Sequence, residues 1–338
     1  MNLDTRQGEK ATRGRGEVQL DPRERPRASG AAPALLFERV SKWYGAVIGL
    51  NQVTLELRAG ITGLVGPNGA GKSTFMRLAA GQLRPDLGSV QIRGHDGWTA
   101  AAKRHVGYCP SSDVLYEDMT GQAFVETMAR LCGLSARDAR RRAADMIELV
   151  GLTSDAKRKV GGYSKGMRQR IKLAQALVHD PVLLLLDEPM AGIDPIGRQE
   201  MIALFHKLAA AGKCLLVSSH ELEELEKLTD HVAVMVHGRI AAVGPLERIR
   251  ALLDDQPLSI LIEATELRRL AALLIAMADV AGVELGANEA LVVRARNPRR
   301  FFTDLTRLVL EENLEICHLE TLDESAAAVL GYLLGGRR

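Results

Sequence analysis

The stretch Gly66-Pro67-Asn68-Gly69-Ala70-Gly71-Lys72-Ser73-Thr74 constrains this chain more than any other. The apolar run Ile61–Val65 precedes it and reads as a buried strand, and Phe75–Ala80 follows it and reads as a helix. Strand, glycine-rich turn and helix form the setting that a phosphate-binding loop requires. Glycine permits backbone angles that a side chain forbids, so the N–H groups of such a turn can converge as an anion nest at the positive end of a helix. Lys72 adds a mobile charge for the β and γ phosphates of a nucleotide, and Ser73 offers a hydroxyl to Mg2+. The complete GxxxxGK[ST] spacing in this context separates the stretch from a chance glycine-rich turn.

Composition bounds the rest. A length of 338 residues allows two or three domains. A hydrophobic content of 46% with 25% charged residues is that of an ordinary globular chain, and a net charge of +2 carries no global nucleic-acid footprint. Cys109, Cys132, Cys214 and Cys317 are scattered without a CxxC pair, and are expected to be reduced, buried thiols of a cytosolic protein. No apolar run approaches the roughly 20 residues that span a bilayer. Met1–Arg27 has no apolar segment of the kind a signal peptide needs. Residues 1–33 mix Arg, Glu, Gly and Pro and are expected to form a disordered, solvated tail; brief contact with anionic lipid is the alternative.

A first folded domain is expected over residues 34–245. It opens with strands at Leu35–Val40 and Val53–Leu57 and continues with strands at Ser89–Ile92, Val182–Leu186, Cys214–Val217 and Val232–Val236. Helices are expected at Gln122–Leu131, Ala136–Val150, Met167–Val178, Gly197–Ala211 and Glu221–Thr229. Strands alternating with helices imply an α/β fold with a largely parallel sheet. Residues 119–161 read as a helical subdomain inserted after a β-rich start. Residues 246–338 read as a second, small α+β domain: strand Leu258–Ala264, helix Leu267–Met277, strands Val283–Leu285 and Ala290–Ala295, helix Arg299–Leu310, strand Leu314–Leu319 and a last helix Ser325–Leu334. That order is the split-βαβ, ferredoxin-like plan.

Three further motifs accompany the loop. Val182–Leu186 is uninterrupted apolar sequence, the mark of a strand buried on both faces, and it ends in Asp187-Glu188-Pro189. Acids at the C-terminal end of such a strand lie where α/β sheets bind ligands. Asp187 suits Mg2+, directly or through one of its waters, and Glu188 is placed to take a proton from an attacking water. Tyr163-Ser164-Lys165-Gly166-Met167 leads into a helix whose start is anion-ready. Ser218-Ser219-His220 ends another strand, with His220 able to reach a γ-phosphate.

Together these residues resemble the ATP-binding subunit of an ABC transporter over about Leu35–Gly244, in the family order. The resemblance implies a P-loop NTPase fold, ATP and Mg2+ as cofactors, and ATP hydrolysis. It implies that Gly66–Ser73 is the Walker A motif, binding ATP together with Thr74, Val182–Asp187 Walker B, Glu188 the general base and His220 the switch histidine. Tyr44 matches the aromatic that stacks on adenine, Ala191–Pro195 with Asp194 the D-loop, and Ser164, Lys165, Gly166 and Met167 the signature that contacts the ATP of a partner subunit. Two departures stand out. The signature reads YSKGM rather than LSGGQ, as in the subgroup that powers ABC-2-type exporters; Lys165 either faces the nucleotide or sits in solvent. Ser111 stands where the Q-loop glutamine should be, after Val106–Pro110; either Ser111 contacts Mg2+ through water or Asp113 takes over.

The resemblance further implies two such subunits pairing head-to-tail, here as a homodimer with two competent sites, and separate transmembrane permease subunits docking on residues 119–161 and the Ser111 loop. The chain would then lie on the cytoplasmic side of the membrane, with export favoured over import and no nucleic-acid partner. The C-terminal extension could regulate, dimerise or simply pack. The rival class is a soluble ABC ATPase acting on nucleic acid or ribosomes; a single nucleotide site and the lack of zinc-binding cysteines stand against it. A regulator that binds ATP without hydrolysing it is a third reading, opposed by Glu188 and His220.

Overall fold

The computed structural model describes residues 32–220, 222–249, 258–286 and 290–321. The N-terminal tail up to residue 31, Glu221 and the last helix expected at Ser325–Leu334 lie outside the described residues.

An antiparallel sheet opens the fold. It contains β1 (Leu35–Tyr44), β2 (Val47–Leu57), β4 (Leu87–Ile92) and β5 (His95–Asp96) in the order β2-β1-β4-β5. β1 and β2 are both longer than their sequence pattern suggests. The ladder shifts register after Phe37, after Val40 and again at Lys42, and Arg39 adopts φ 50°. Such bulges break the period-two alternation on which a reading by pattern depends. Phe37 of this sheet stacks on Phe75, with ring centroids 4.1 Å apart, and so pins the sheet to α1 (Lys72–Ala79), the helix that follows the glycine-rich loop.

The central sheet holds β3 (Gly60–Val65), β6 (Val106–Cys109), β7 (Leu183–Asp187), β8 (Cys214–Ser219), β9 (His231–Val236) and β10 (Arg239–Pro245), ordered β10-β9-β3-β8-β7-β6. All its pairs are parallel except β9 with β10. Leu183, Leu184, Leu185 and Leu186 of β7 are fully buried. Each contributes about 1.5–3 kcal/mol, which anchors the strand that carries Asp187 at its end. β10 escaped the sequence reading because it is a half-exposed edge strand ending in Gly-Pro, a place where proline is tolerated.

The helical subdomain contains α3 (Gly121–Leu131) and α4 (Ala136–Leu149), capped by Thr120 and Ser135 through Ala123 N–H and Asp138 N–H. Each cap is worth about 1 kcal/mol. These helices share one core with α5 (Lys165–Leu177), including Phe124, Ala143, Ile147 and Ile171. Beyond it run α6 (Pro195–Ala210) and α7 (Leu222–Glu226). α7 stops short of Thr229, whose hydroxyl donates to Ile61 O and accepts from His231 N–H, pulling the chain out of the helix and into β9.

A third sheet contains β11 (Leu258–Ala264), β12 (Val280–Leu285), β13 (Leu291–Ala295) and β14 (Ile316–Thr321), with α8 (Leu267–Ile275) after β11 and α9 (Pro298–Glu311) after β13. The order β12-β13-β11-β14 with every pair antiparallel is the ferredoxin-like arrangement read from the βαββαβ pattern. It has its own core, with Ile260, Ile262, Leu270, Leu274, Leu291 and Phe301.

The thiols correct one expectation. Cys109 and Cys214 are buried, and burial pushes each up to about 12; Cys132 and Cys317 are exposed. Cys132 caps the surface end of α3 and Cys317 lies in the mostly exposed β14.

His179 follows α5 with Nε2 3.0 Å from Val106 O and a buried Nδ1 that has no hydrogen-bond partner among the described residues. Burial holds its pKa below the ordinary 6.5, against the pull of the Val106 carbonyl. The unfolded chain therefore takes the proton first. Stability contributed by neutral His179 should be lost as pH falls from about 6.5 toward the lowered value, by at most ~1.4 kcal/mol per unit. Denaturant melts at pH 7 and pH 5 should show this loss shrinking in His179→Gln; an unchanged pH slope would contradict it.

Candidate functional site

The parallel strands β3, β7 and β8 end side by side, with Val65 opposite Ser219 and Asp187 opposite Ser218. Their C-terminal ends bring the glycine-rich loop, Asp187-Glu188 and Ser218–His220 to one edge of the sheet. The loop is built tightly. A β-carbon at Gly66 would collide with the Met235 carbonyl oxygen, and Gly71 caps α1 at φ 104° without a side chain. Asn68 and Gly69 are exposed at the tip, and Ala70 is buried beneath them.

Lys72 is buried at the first turn of α1. Its Nζ donates to Gly66 O at 2.5 Å and to Pro67 O at 3.1 Å. Burial lowers its pKa from the usual lysine value, opposed by the charges of Glu188 and then Asp187. The ammonium therefore faces both carboxylates across the site. Ser73 and Thr74 follow, with Ser73 exposed. The exposed Tyr44 sets its hydroxyl 3.4 Å from Thr74 Oγ1, and its ring rests against Gly49.

Asp187 is only 3% exposed, and both its oxygens are engaged. Oδ1 accepts from Ser218 Oγ at 2.7 Å, and Oδ2 accepts from Ser111 Oγ at 3.2 Å. Ser218 Oγ in turn accepts from Glu188 N–H at 2.9 Å, tying the two acids to one hydroxyl. Glu188 adopts φ 49°, a left-handed conformation uncommon for residues other than glycine. Strain of this kind costs about 1–3 kcal/mol and persists where neighbours enforce it, here also Gln169 Nε2 donating to Glu188 O at 3.3 Å. The turn sets Glu188 Oε1 3.4 Å from His220 Nδ1.

Sequence reasoning missed Ser218 as a site residue. Its signal was the strand register, which a single sequence does not display. Of the alternatives at the Q-loop position, Ser111 reaches Asp187, whereas Asp113 pairs with Lys172 at 2.9 Å.

Ser164 caps α5 by accepting from Met167 N–H at 3.2 Å, and Gly166 follows in the first turn. The exposed Lys165 side chain lies over Gly192, where a β-carbon would strike its ammonium end. Asp194 caps α6, accepting from Gly197 N–H at 2.9 Å, and that bond draws its carboxyl below the usual range. Lys165 of the signature thus lies against Gly192 of the D-loop, while Ser164 and Asp194 each cap the helix that follows them.

The oxygen donors of Ser73, Asp187 and Ser111 suit a hard cation such as Mg2+. Among the described residues no group of three or more His, Cys, Asp and Glu forms a self-sufficient metal cage. A cation here would be shared with phosphate oxygens, the usual Mg2+ pattern.

The family described as ABC transporter matches residues 50–191. The daunorubicin/doxorubicin resistance ATP-binding protein DrrA of Streptomyces peucetius is 33% identical over 304 residues, 86% of this chain and 90% of its own length. This chain belongs to the ATP-binding proteins of ABC transporters. The Nod factor export ATP-binding protein I of Burkholderia orbicola is 38% identical over 211 residues, 62% of the chain and 69% of that protein. Among solved structures, an ATP-binding subunit of an ABC transporter superposes with a TM-score of 0.59 at 30% identity, covering 64% of this chain and 92% of that one. The ABC protein is thus an ATPase of the P-loop class that binds ATP. No helix among its described residues is long and apolar enough to cross a membrane.

Proposed function

We propose that this ABC ATPase drives an exporter, as a head-to-tail homodimer bound to the cytoplasmic face of a separate transmembrane permease. The observation that carries the hydrolytic reading is the convergence of Lys72, Asp187, Glu188 and His220 on one sheet edge, with Glu188 3.4 Å from His220. Lys72 exchanges its two loop carbonyls for the β and γ phosphates, while the N–H groups of Gly66–Thr74 wrap the anion. Tyr44 stacks on adenine. Ser73 and Asp187 would hold Mg2+, with Ser111 behind Asp187. Bound there, the cation would neutralise charge on the phosphate oxygens. Glu188 takes the proton of the attacking water, and His220 meets the γ-phosphate and orients Glu188.

Ser164, Lys165, Gly166 and Met167 face the ATP of the partner subunit, and Asp194 lies at the same interface. The γ-phosphate then belongs to both subunits, so ATP favours the closed dimer and hydrolysis releases it. The exposed Val114, Tyr116 and Leu131, on the Ser111 loop and the helical block, offer an apolar docking surface for the permease. Export follows the printed role of the Nod factor export relative, and drug resistance, the printed role of the daunorubicin/doxorubicin relative, is in keeping with it. We read residues 34–245 as the catalytic domain and residues 246–338 as an accessory domain, whose described residues have a core of their own.

Purified protein tests this reading. ATP turnover should require Mg2+, collapse in EDTA and rise with protein concentration as dimers form. Turnover that is absent, or indifferent to Mg2+, would overturn it.

A further inference from the structure

Lys172 lies on α5 two turns beyond Ser164 and is 1% exposed. A buried ammonium is costly unless its donors are met. It has three donors, and three acceptors meet it: Pro110 O at 3.1 Å, Ser112 O at 3.2 Å and Asp113 Oδ1 at 2.9 Å. All three belong to the loop after β6. The two carbonyls flank Ser111, the residue whose hydroxyl donates to Asp187 Oδ2 at 3.2 Å. Serine is shorter than the glutamine it replaces, so its reach depends on where the backbone is held. The latch from α5 holds that backbone on both sides.

We infer that Lys172 is a positioning residue of the nucleotide site: it fixes the 110–113 loop so that Ser111 bonds Asp187 and aims that carboxylate at the cation. The inference rests on the reading that Asp187 faces metal-bound ATP. Without the latch, Ser111 swings away and Asp187 Oδ2 loses its donor. The cation is then held less well, while metal-free nucleotide, which depends on Lys72 and Tyr44, is bound as before. The latch also links the signature helix to the Walker B acid within one subunit, so the two move as a unit.

The test is a double-mutant cycle in the full chain with Lys172→Met and Ser111→Ala. The readouts are Mn2+ binding by electron paramagnetic resonance with a non-hydrolysable ATP analogue, and the Mg2+ dependence of turnover. Each single variant should weaken Mn2+ binding about tenfold, the scale of one buried hydrogen bond. Metal-free analogue binding should stay within about twofold of wild type, below the scale of one such bond. The double variant should be no worse than either single, because both remove the same interaction. Multiplying effects, or an unchanged Mn2+ affinity in Lys172→Met, would overturn the inference. If Lys172→Met does not fold, Lys172→Gln replaces it in the cycle, since its shorter, neutral amide keeps a polar group in the pocket but cannot meet all three acceptors at once. A wild type that binds Mn2+ with nucleotide but shows no coupling refutes the latch alone. A wild type that binds no metal–nucleotide refutes the site reading with it.

Discussion

Glu188→Gln should lower ATP turnover by ~10²–10⁴-fold while leaving the fold and ATP binding intact. Glutamine has the shape of glutamate without its basicity. The position is set by the backbone rather than by the charge: φ 49°, Glu188 N–H on Ser218 Oγ, and Gln169 on Glu188 O all remain. Only proton acceptance is lost. ATP then stays unhydrolysed between the subunits, so the variant should accumulate as an ATP-dependent dimer on size exclusion, where wild type returns to monomer. Phosphate release gives the rate and elution volume gives the dimer. Near-wild-type turnover would remove Glu188 from the reaction and shift attention to His220.

Lys72→Met should separate binding from stability. The ammonium sits where burial penalises its charge, as its lowered pKa shows, so its place in the ligand-free fold is one of function. Methionine keeps the apolar stem and drops the charge. The ligand-free variant should melt no lower than wild type, while ATP affinity falls by about 10²-fold or more, the cost of removing one partner from a buried charge pair. The rise in melting temperature that ATP produces in wild type should vanish, because ligand stabilisation scales with the logarithm of concentration over Kd. A ligand-free variant that melts well below wild type would mean that the bonds to Gly66 O and Pro67 O outweigh the desolvation of Lys72.

What could be read from residues alone was what local chemistry decides. The Gly66–Thr74 spacing demanded a strand before it and a helix after it, and β3 and α1 are there. The leucine run of β7 announced a strand buried on both faces, and it is. The βαββαβ order of the C-terminal segment led to the ferredoxin-like sheet because so few topologies accommodate it. Hidden from sequence was whatever depends on register or reach. Ser218 sits on Asp187 only because β7 and β8 pair in the register they do. Lys172, one polar residue among others on α5, gives no local sign that it is buried against the Ser111 loop. The bulges of β1 and the exposed edge of β10 blurred the alternation by which strands are recognised.

An ATPase that energises a separate permease should be found together with it. The most direct test is affinity purification of tagged protein from gently solubilised membranes, with mass spectrometry of what accompanies it. A polytopic membrane protein should appear at comparable abundance and be retained in Glu188→Gln. Ribosomal proteins or DNA-associated factors with no such membrane protein would contradict it.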